Sequence, residues 1–102
     1  MSYVTLEEAK DQVAVEQDNT DHDTRLTRLI AAAELRAAQF LNADLADYED
    51  SPANSPPTIP EDIKSAILLF IEWEFDRDER IGPQLLEQAQ ALLWPHRTGL
   101  EV

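Results

Sequence analysis

Residues 61–72 read EDIKSAILLFIE, a segment that follows Pro60 and is apolar without a break from Ala66 to Ile71. On the 3.6-residue period of an α-helix its apolar positions, continued to residue 73, form two stripes: Ile63, Ile67, Phe70 and Ile71, and then Ala66, Leu69 and Trp73. A surface helix carries one such stripe. We therefore predict a central helix that is covered on two or more sides.

Two further helices are predicted before this one. Thr5 and Glu8 have the spacing of a capping box, which predicts a short first helix. A second helix begins near Asp21 or Asp23, where carboxylates favour a helix N-terminus. Its apolar residues keep helical spacing for about four turns, which makes it the clearest amphipathic helix of the chain: Leu26, Leu29, Ile30, Ala33, Ala37, Phe40 and Leu41.

A fourth helix is predicted near the end of the chain. The third helix should run to about Arg80, and Gly82 with Pro83 then breaks the chain and starts the next helix. Trp94 before Pro95 marks its stop. One face is expected to carry Leu85, Ala89 and Leu92, with Leu86 and Leu93 in a neighbouring row.

Helical periodicity disappears from Asn42 to Ile59, where prolines and acidic residues accumulate. This pattern predicts a long acidic loop, about residues 43–59, that is flexible and orders on a partner. The fold class is therefore all-α: a small bundle of about four helices with this loop between helices two and three. We expect a single domain over residues 1–102, with a short tail at 98–102.

Composition excludes several classes of function. The 102 residues include 21 acidic and 8 basic side chains, which gives a net charge of −13. Sequence-specific DNA binding normally depends on clustered Lys and Arg, so it is not expected here. The chain has no cysteine, which excludes disulfides and thiolate metal sites. Its longest apolar run is far shorter than the ~20 residues of a membrane span, and the N-terminus MSYVTLEEAK lacks a basic-then-apolar signal pattern, so we expect no membrane partner and no export.

The chain shows no pattern of catalytic, cofactor-binding or metal-binding residues. There is no G-x-S-x-G motif and no glycine-rich phosphate loop. His22 and His96 stand alone in polar surroundings, where surface or capping roles are the expectation. Glu72, Asp76 and Glu79 share one helix face, but nearby arginines favour a solvated, partly paired surface. We predict no enzyme activity, no cofactor and no metal.

Aromatic residues at helix ends favour a subunit contact. Trp73, Phe75 and Trp94 lie at the predicted ends of helices, where a small bundle has little interior left to bury large side chains. Core packing explains at least one of them, while Trp and Tyr are also enriched at interface anchors. We predict subunit packing through Phe70, Trp73 and Phe75.

Taken in order, several segments resemble one family of proteins. They are LEEAK near the start, an Asp-rich turn, RLIAAAE, the variable loop, P-x-x-I-K-x-A-I-L-L at residues 60–69, and LLWPHR near the end. This order resembles the small head-tail connector proteins of long-tailed bacteriophages, which are also called adaptor or head-completion proteins. A closing L-L-x-P-[YH]-R is typical of that family. The resemblance covers Leu6 to Arg97. Two departures are a more acidic, proline-rich loop and His96 where Tyr is commoner.

The resemblance implies a structural protein that is not an enzyme. A ring of about a dozen copies would dock beneath the portal, extend the DNA channel and offer a platform for a tail or second head-completion protein. DNA would pass through the lumen without sequence-specific binding. Tyr48, Trp94, His96 and Arg97 are the predicted docking residues. The implied location is the head-tail junction of the virion, and the host cytoplasm during assembly.

Two other functions remain open from the sequence. An acidic inhibitor that mimics DNA would occupy a basic groove on a host or phage enzyme, and it predicts carboxylates spaced like phosphates on one face. An accessory subunit of an enzyme explains the helical core but not the long loop. A connector differs from both because a closed ring needs two different, complementary surfaces on each copy.

Overall fold

The computed structural model of the chain describes residues 3–50, 56–76 and 82–97. Within these residues lie four α-helices: α1 (Leu6–Gln12), α2 (Asp23–Leu41), α3 (Glu61–Asp76) and α4 (Gly82–Leu93). Two 3₁₀ helices, Leu45–Tyr48 and Trp94–His96, follow α2 and α4. No strand occurs among the residues described, and the predicted all-α bundle of about four helices is confirmed.

Helix α3 is the centre of the fold. It packs against α1, α2 and α4, which explains why its sequence carries two apolar stripes. Ala66 from the second stripe is as fully buried as the first stripe, while Leu69 and Trp73 are half-buried. The largest side chains of the core come mainly from α3, with contributions from α2 and α4: Phe70, Leu26, Leu41, Ile63, Ile67, Ile71 and Leu93.

Helix α1 is held at both ends by polar contacts. The Thr5 hydroxyl accepts a hydrogen bond from the Glu8 amide at 3.1 Å, and the Glu8 carboxylate accepts one from the Thr5 amide at 2.9 Å. The predicted capping box is therefore confirmed. At the other end, the buried ammonium of Lys10 lies 2.8 Å from the Asp23 carboxylate and donates to the Gln17 carbonyl. These contacts fix α1 against the N-terminus of α2.

Helix α2 begins at Asp23, one of the two predicted start positions. Five of its apolar residues are buried, whereas Leu29 and Phe40 of the predicted stripe are only half-buried. The helix ends because Asn42 adopts a left-handed conformation with φ 59°.

Helix α4 begins at Gly82, as predicted, and the expected end of α3 near Arg80 lies outside the described residues. A Cβ atom at Gly82 would lie 3.2 Å from the Trp73 ring, so the absent side chain permits this close approach. The buried face of α4 carries Leu85, Ala89 and Leu93, whereas Leu92 is half-buried. Leu86 and Leu92 are half-buried and pack against the core, so both predicted rows of α4 contribute to it.

The segment between α2 and α3 is more structured at its start than the sequence predicts. A 3₁₀ helix covers Leu45–Tyr48, and the Leu45 side chain is buried. Ile59, at the other end, is also buried, and the Asp50 amide donates to the Thr58 carbonyl at 2.9 Å. Residues 51–55 lie outside the described residues. The described parts of this segment are thus attached to the core at both ends.

Phe70→Ala tests whether this side chain belongs to the core of one chain. Phe70 is 1 % exposed, so its removal should lower the free energy of unfolding by about 3–5 kcal/mol. Leu35→Ala is the matched control, because Leu35 is 61 % exposed and its truncation should change stability by no more than about 0.5 kcal/mol. Urea unfolding of dilute protein measures both. Equal effects of the two substitutions would remove Phe70 from the core.

Lys64→Met tests an ion pair that joins α1 to α3, in which the Lys64 ammonium lies 2.6 Å from the Glu8 carboxylate. Burial by itself raises the pKa of Glu8, but hydrogen bonds from Lys64 and Thr5 outweigh it and hold that pKa below its ordinary value. A carboxyl group whose pKa is lower in the folded than in the unfolded state stabilises the fold at pH values above its unfolded-state pKa. This contribution is lost as the pH falls through the folded-state pKa.

We expect Lys64→Met to lower stability at neutral pH by about 1 kcal/mol or less, since both groups are partly solvated. The difference from the parent protein should shrink as the pH falls through the titration of Glu8. Urea unfolding at several pH values measures this. A difference that stays constant into acid would show that Lys64 acts through packing alone.

Candidate docking surface

The segment Trp94–Arg97 follows directly on α4 as a tighter helical turn. Pro95 has no amide hydrogen and cannot continue the α-helix, so the chain forms the 3₁₀ helix Trp94–His96. The Arg97 amide then donates to the Trp94 carbonyl at 3.1 Å. This turn places the side chains of Trp94, His96 and Arg97 beside the end of α2 and the segment that follows it.

His96 joins three distant parts of the chain. Its carbonyl accepts a hydrogen bond of 2.5 Å from the Tyr48 hydroxyl, and its ring lies edge-on to the Tyr48 ring. Its Nε2 atom lies 2.7 Å from a carboxylate oxygen of Asp62, in the first turn of α3. Burial, with a smaller effect of the Asp47 charge, raises the pKa of Tyr48 and keeps its hydroxyl protonated as a donor.

Trp94 and Arg97 form the exposed part of the same region. The Arg97 guanidinium lies 5.3 Å from the centre of the Phe40 ring and 5.5 Å from that of Trp94. The two rings are 6.4 Å apart and tilted. Both distances to the cation are within the range of cation–π attraction. Trp94 is nevertheless 53 % exposed, so a large apolar ring remains open to solvent beside a positive charge.

We call this region the closing cluster, defined as Phe40, Tyr48, Trp94, His96 and Arg97. The four residues predicted to dock a partner all lie in it, although Tyr48 and Trp94 are far apart in sequence. Sequence reasoning missed Phe40, which it assigned to the buried stripe of α2, and also Asp62. No periodic signal identifies either contact. Docking by these residues stays a prediction.

The residues predicted to form the subunit contact lie at the other end of α3. Phe70 is in the core of its own chain, while Trp73 and Phe75 are half-buried. The Arg36 guanidinium lies 4.9 Å from the centre of the Trp73 ring. That of Arg25 lies 4.6 Å from the centre of the Phe75 ring. Arginines of α2 thus cover these rings within one chain, and their role between subunits stays a prediction.

Arg25 has a second function at this end of α3. It donates hydrogen bonds to the main-chain carbonyls of Phe75 at 3.0 Å and Glu74 at 3.4 Å. Both carbonyls lie in the last turn of α3 that the structure describes, so the Arg25 guanidinium connects this part of α3 to α2. Arg36 lies 3.4 Å from the Glu74 carboxylate. Together these contacts bind the end of α3 to α2.

The described residues contain no group of three or more side chains able to hold a metal ion. Glu72, from the acidic row considered above, accepts a hydrogen bond of 2.7 Å from the Gln12 amide group. His22 occupies the N-cap position of α2 and lies edge-on to Phe75. Over the same part of the chain, no helix is long and apolar enough to cross a membrane.

Comparison with models of known protein families gives a match. A sequence profile described as phage gp6-like head-tail connector protein matches residues 3–89. The match covers α1, α2 and α3 and most of α4, but ends before the segment that builds much of the closing cluster. No curated protein and no solved structure matches the chain.

Tyr48→Phe tests the attachment of the C-terminal turn. Loss of the hydroxyl removes the hydrogen bond to the His96 carbonyl, which should weaken the turn by about 1 kcal/mol. Amide hydrogen exchange at Arg97 should then become roughly fivefold faster. Tyr3→Phe is the matched control, because the Tyr3 hydroxyl bonds to Glu49 instead. Unchanged exchange at Arg97 in Tyr48→Phe would show that the hydroxyl does not hold the turn.

Proposed function

This chain belongs to the family of phage gp6-like head-tail connector proteins, and from that premise we propose that it forms a ring under the portal, where it joins the phage head to the tail. The family is a structural part of the virion, not a family of enzymes, and its place implies contact with portal and tail proteins. In the proposed ring, about a dozen copies extend the DNA channel, as closed rotational symmetry allows. Assembly takes place in the host cytoplasm.

The closing cluster is the observation that carries the docking part of this proposal. Trp and Arg are the residue types that most often anchor protein interfaces. Here Trp94 is 53 % exposed, and the Arg97 guanidinium lies against its ring. The Tyr48 hydroxyl and the Asp62 carboxylate hold the turn that presents them. A turn fixed before contact loses little conformational entropy on binding, which favours docking to a neighbouring portal or tail protein.

The acidic surface supports the proposed passage of DNA. Several cations of the chain are already engaged with acids of the same chain: Lys10 with Asp23, Lys64 with Glu8 and Arg36 with Glu74. Such pairs neutralise part of the positive charge that could attract phosphates, while the net charge remains −13. A ring of such subunits repels the DNA backbone and lets the genome slide through the lumen without sequence-specific binding.

Trp73 and Phe75 remain the proposed subunit contacts at the end of α3, with Phe70 supporting them from the core. Arg36 and Arg25 already lie over their half-buried rings. A neighbouring subunit would therefore contact these arginines together with the exposed parts of the rings. The acidic DNA mimic, by contrast, has no support from the family match. The proposed ring is consistent with the family match, and docking to a neighbouring protein would cover the exposed Trp94 of the closing cluster.

Electron microscopy tests the proposal directly. The purified protein is imaged alone and after mixing with portal-bearing capsids from the phage that encodes it. We expect rings, or a new collar of density under the portal. Neither rings nor a collar over a wide range of protein concentrations would contradict the proposed function.

Trp94→Ala tests the docking role in the same assay. Because the indole group of Trp94 is exposed, the variant should keep its fold. It should bind portal-bearing capsids at least tenfold more weakly, which is the effect of losing a typical anchor residue. Trp94→Phe is the matched control and should retain most binding. Co-sedimentation with capsids measures both, and circular dichroism checks the fold. Full binding by Trp94→Ala would exclude the closing cluster as the docking site.

A further inference from the structure

Helix α2 presents an exposed apolar residue on its outer face. Its buried residues form one stripe, and at 100° per residue Leu35 lies nearly opposite that stripe. Leu35 is 61 % exposed, more than any other large hydrophobic residue described. Arg28 is exposed two turns earlier on the same side of the helix. We call Arg28 and Leu35 the α2 outer face.

A shallow apolar groove lies on a different part of the surface, between α3 and α4. Its volume is about 400 Å³, and it is lined by Leu69, Gln88, Ala91 and Leu92. None of these four residues is charged, although 28 % of the chain is Asp, Glu, Lys or Arg. Glu87 is exposed one turn before Ala91, at the edge of this surface. We call the four lining residues the α3–α4 groove.

The charges of the two surfaces are opposite. The acids of α2 are engaged within the chain: Asp23 with Lys10, and Glu34 with the amides of residues 3 and 4. The α2 outer face is therefore locally basic at Arg28. Glu87 is the only charged residue of α4. In a chain of net charge −13, two copies repel each other overall, so a contact that brings opposite charges together is favoured.

We propose that Leu35 of one copy inserts into the α3–α4 groove of the next copy, with Arg28 beside Glu87. This inference rests on the proposed function and names a further contact between neighbouring copies of its ring. The occupant is a second copy because the same chain carries both the apolar projection and the uncharged groove, with complementary charge beside each. Two different surfaces on one chain make a head-to-tail contact, which closes into a ring when the rotation allows it.

The spacing along the helices is compatible with this pairing. Arg28 and Leu35 are separated by about 10 Å along α2, and Glu87 and Ala91 by about 6 Å along α4. The long, flexible arginine side chain spans the difference. α3 packs against both α2 and α4, and Leu35 is 61 % exposed within one chain, so its side chain does not occupy the groove of its own chain.

Cysteine cross-linking of the full chain tests the contact. The chain has no cysteine, so introduced thiols are the only ones present. In the double variant Leu35→Cys/Ala91→Cys, diamide oxidises two thiols to a disulfide and is itself reduced to the hydrazine. A head-to-tail contact should give a ladder of dimers, trimers and larger species on a non-reducing gel. Leu35→Cys/Gln90→Cys is the matched control, because Gln90 is exposed about 100° around α4 and should cross-link at least fivefold less.

Several outcomes would overturn the contact. The first is a ladder no stronger than that of the control. The second is dimers from Leu35→Cys alone, which would indicate a symmetric contact. The third is cross-links from residue 35 to another virion protein in portal-bearing capsids. If the wild-type protein forms rings or a collar despite any of these results, the proposed function stands without this contact. If the wild-type protein forms neither, the proposed function fails and the contact fails with it.

Charge reversal supplies a second test that a folding defect cannot imitate. Arg28→Glu and Glu87→Arg are exposed substitutions, and each alone should reduce ring formation at least tenfold. The double variant Arg28→Glu/Glu87→Arg should restore it. Electron microscopy counts the rings. Single variants that assemble like the wild-type protein, or a double variant that is no better than the single ones, would contradict the pairing of Arg28 with Glu87.

Discussion

The structure depends on the burial of α3 from more than one side. Ile63, Ile67 and Ile71 have no exposed surface, and each buried aliphatic side chain of this size contributes about 1.5–3 kcal/mol. Covering α3 requires helices on several sides, which a chain of 102 residues provides with α1, α2 and α4. The result is a flat molecule, 43 × 39 × 17 Å, in which little of the core lies far from a surface. Such a shape leaves helix faces exposed at the surface.

The ends of α3 are joined to the rest of the chain by polar and aromatic contacts. At its start, Asp62 contacts His96 and so brings the C-terminal turn against the bundle. Near residue 75, the Arg25 guanidinium lies over the Phe75 ring and donates a hydrogen bond to the Phe75 carbonyl. In a chain with 21 acidic and 8 basic side chains, the ion pairs of Lys10, Arg36 and Lys64 reduce repulsion between acids. These ion pairs allow the chain to remain folded although its surface is acidic.

The sequence predicts local features of this fold and misses contacts between distant residues. The capping box at Thr5, the start of α2 and the two stripes of α3 follow from spacing alone. The contacts of His96 with Tyr48 and Asp62 do not, because no periodicity relates residues 34 or 48 positions apart. The 3₁₀ helix at Leu45–Tyr48 was missed because one buried leucine among acidic residues gives no pattern. The interface predicted at Phe70 meets the same limit, since apolar spacing cannot separate a core side chain from a contact with another subunit.

A connector has to do more than form a ring, because it must make head and tail bind each other. The most direct measurement uses capsids with portals that were assembled without this protein, together with purified tails. Addition of the purified protein should convert them into joined, infectious particles, counted by electron microscopy and by plaque assay. Joining that proceeds equally well without the protein, or that fails in its presence, would contradict the connector function.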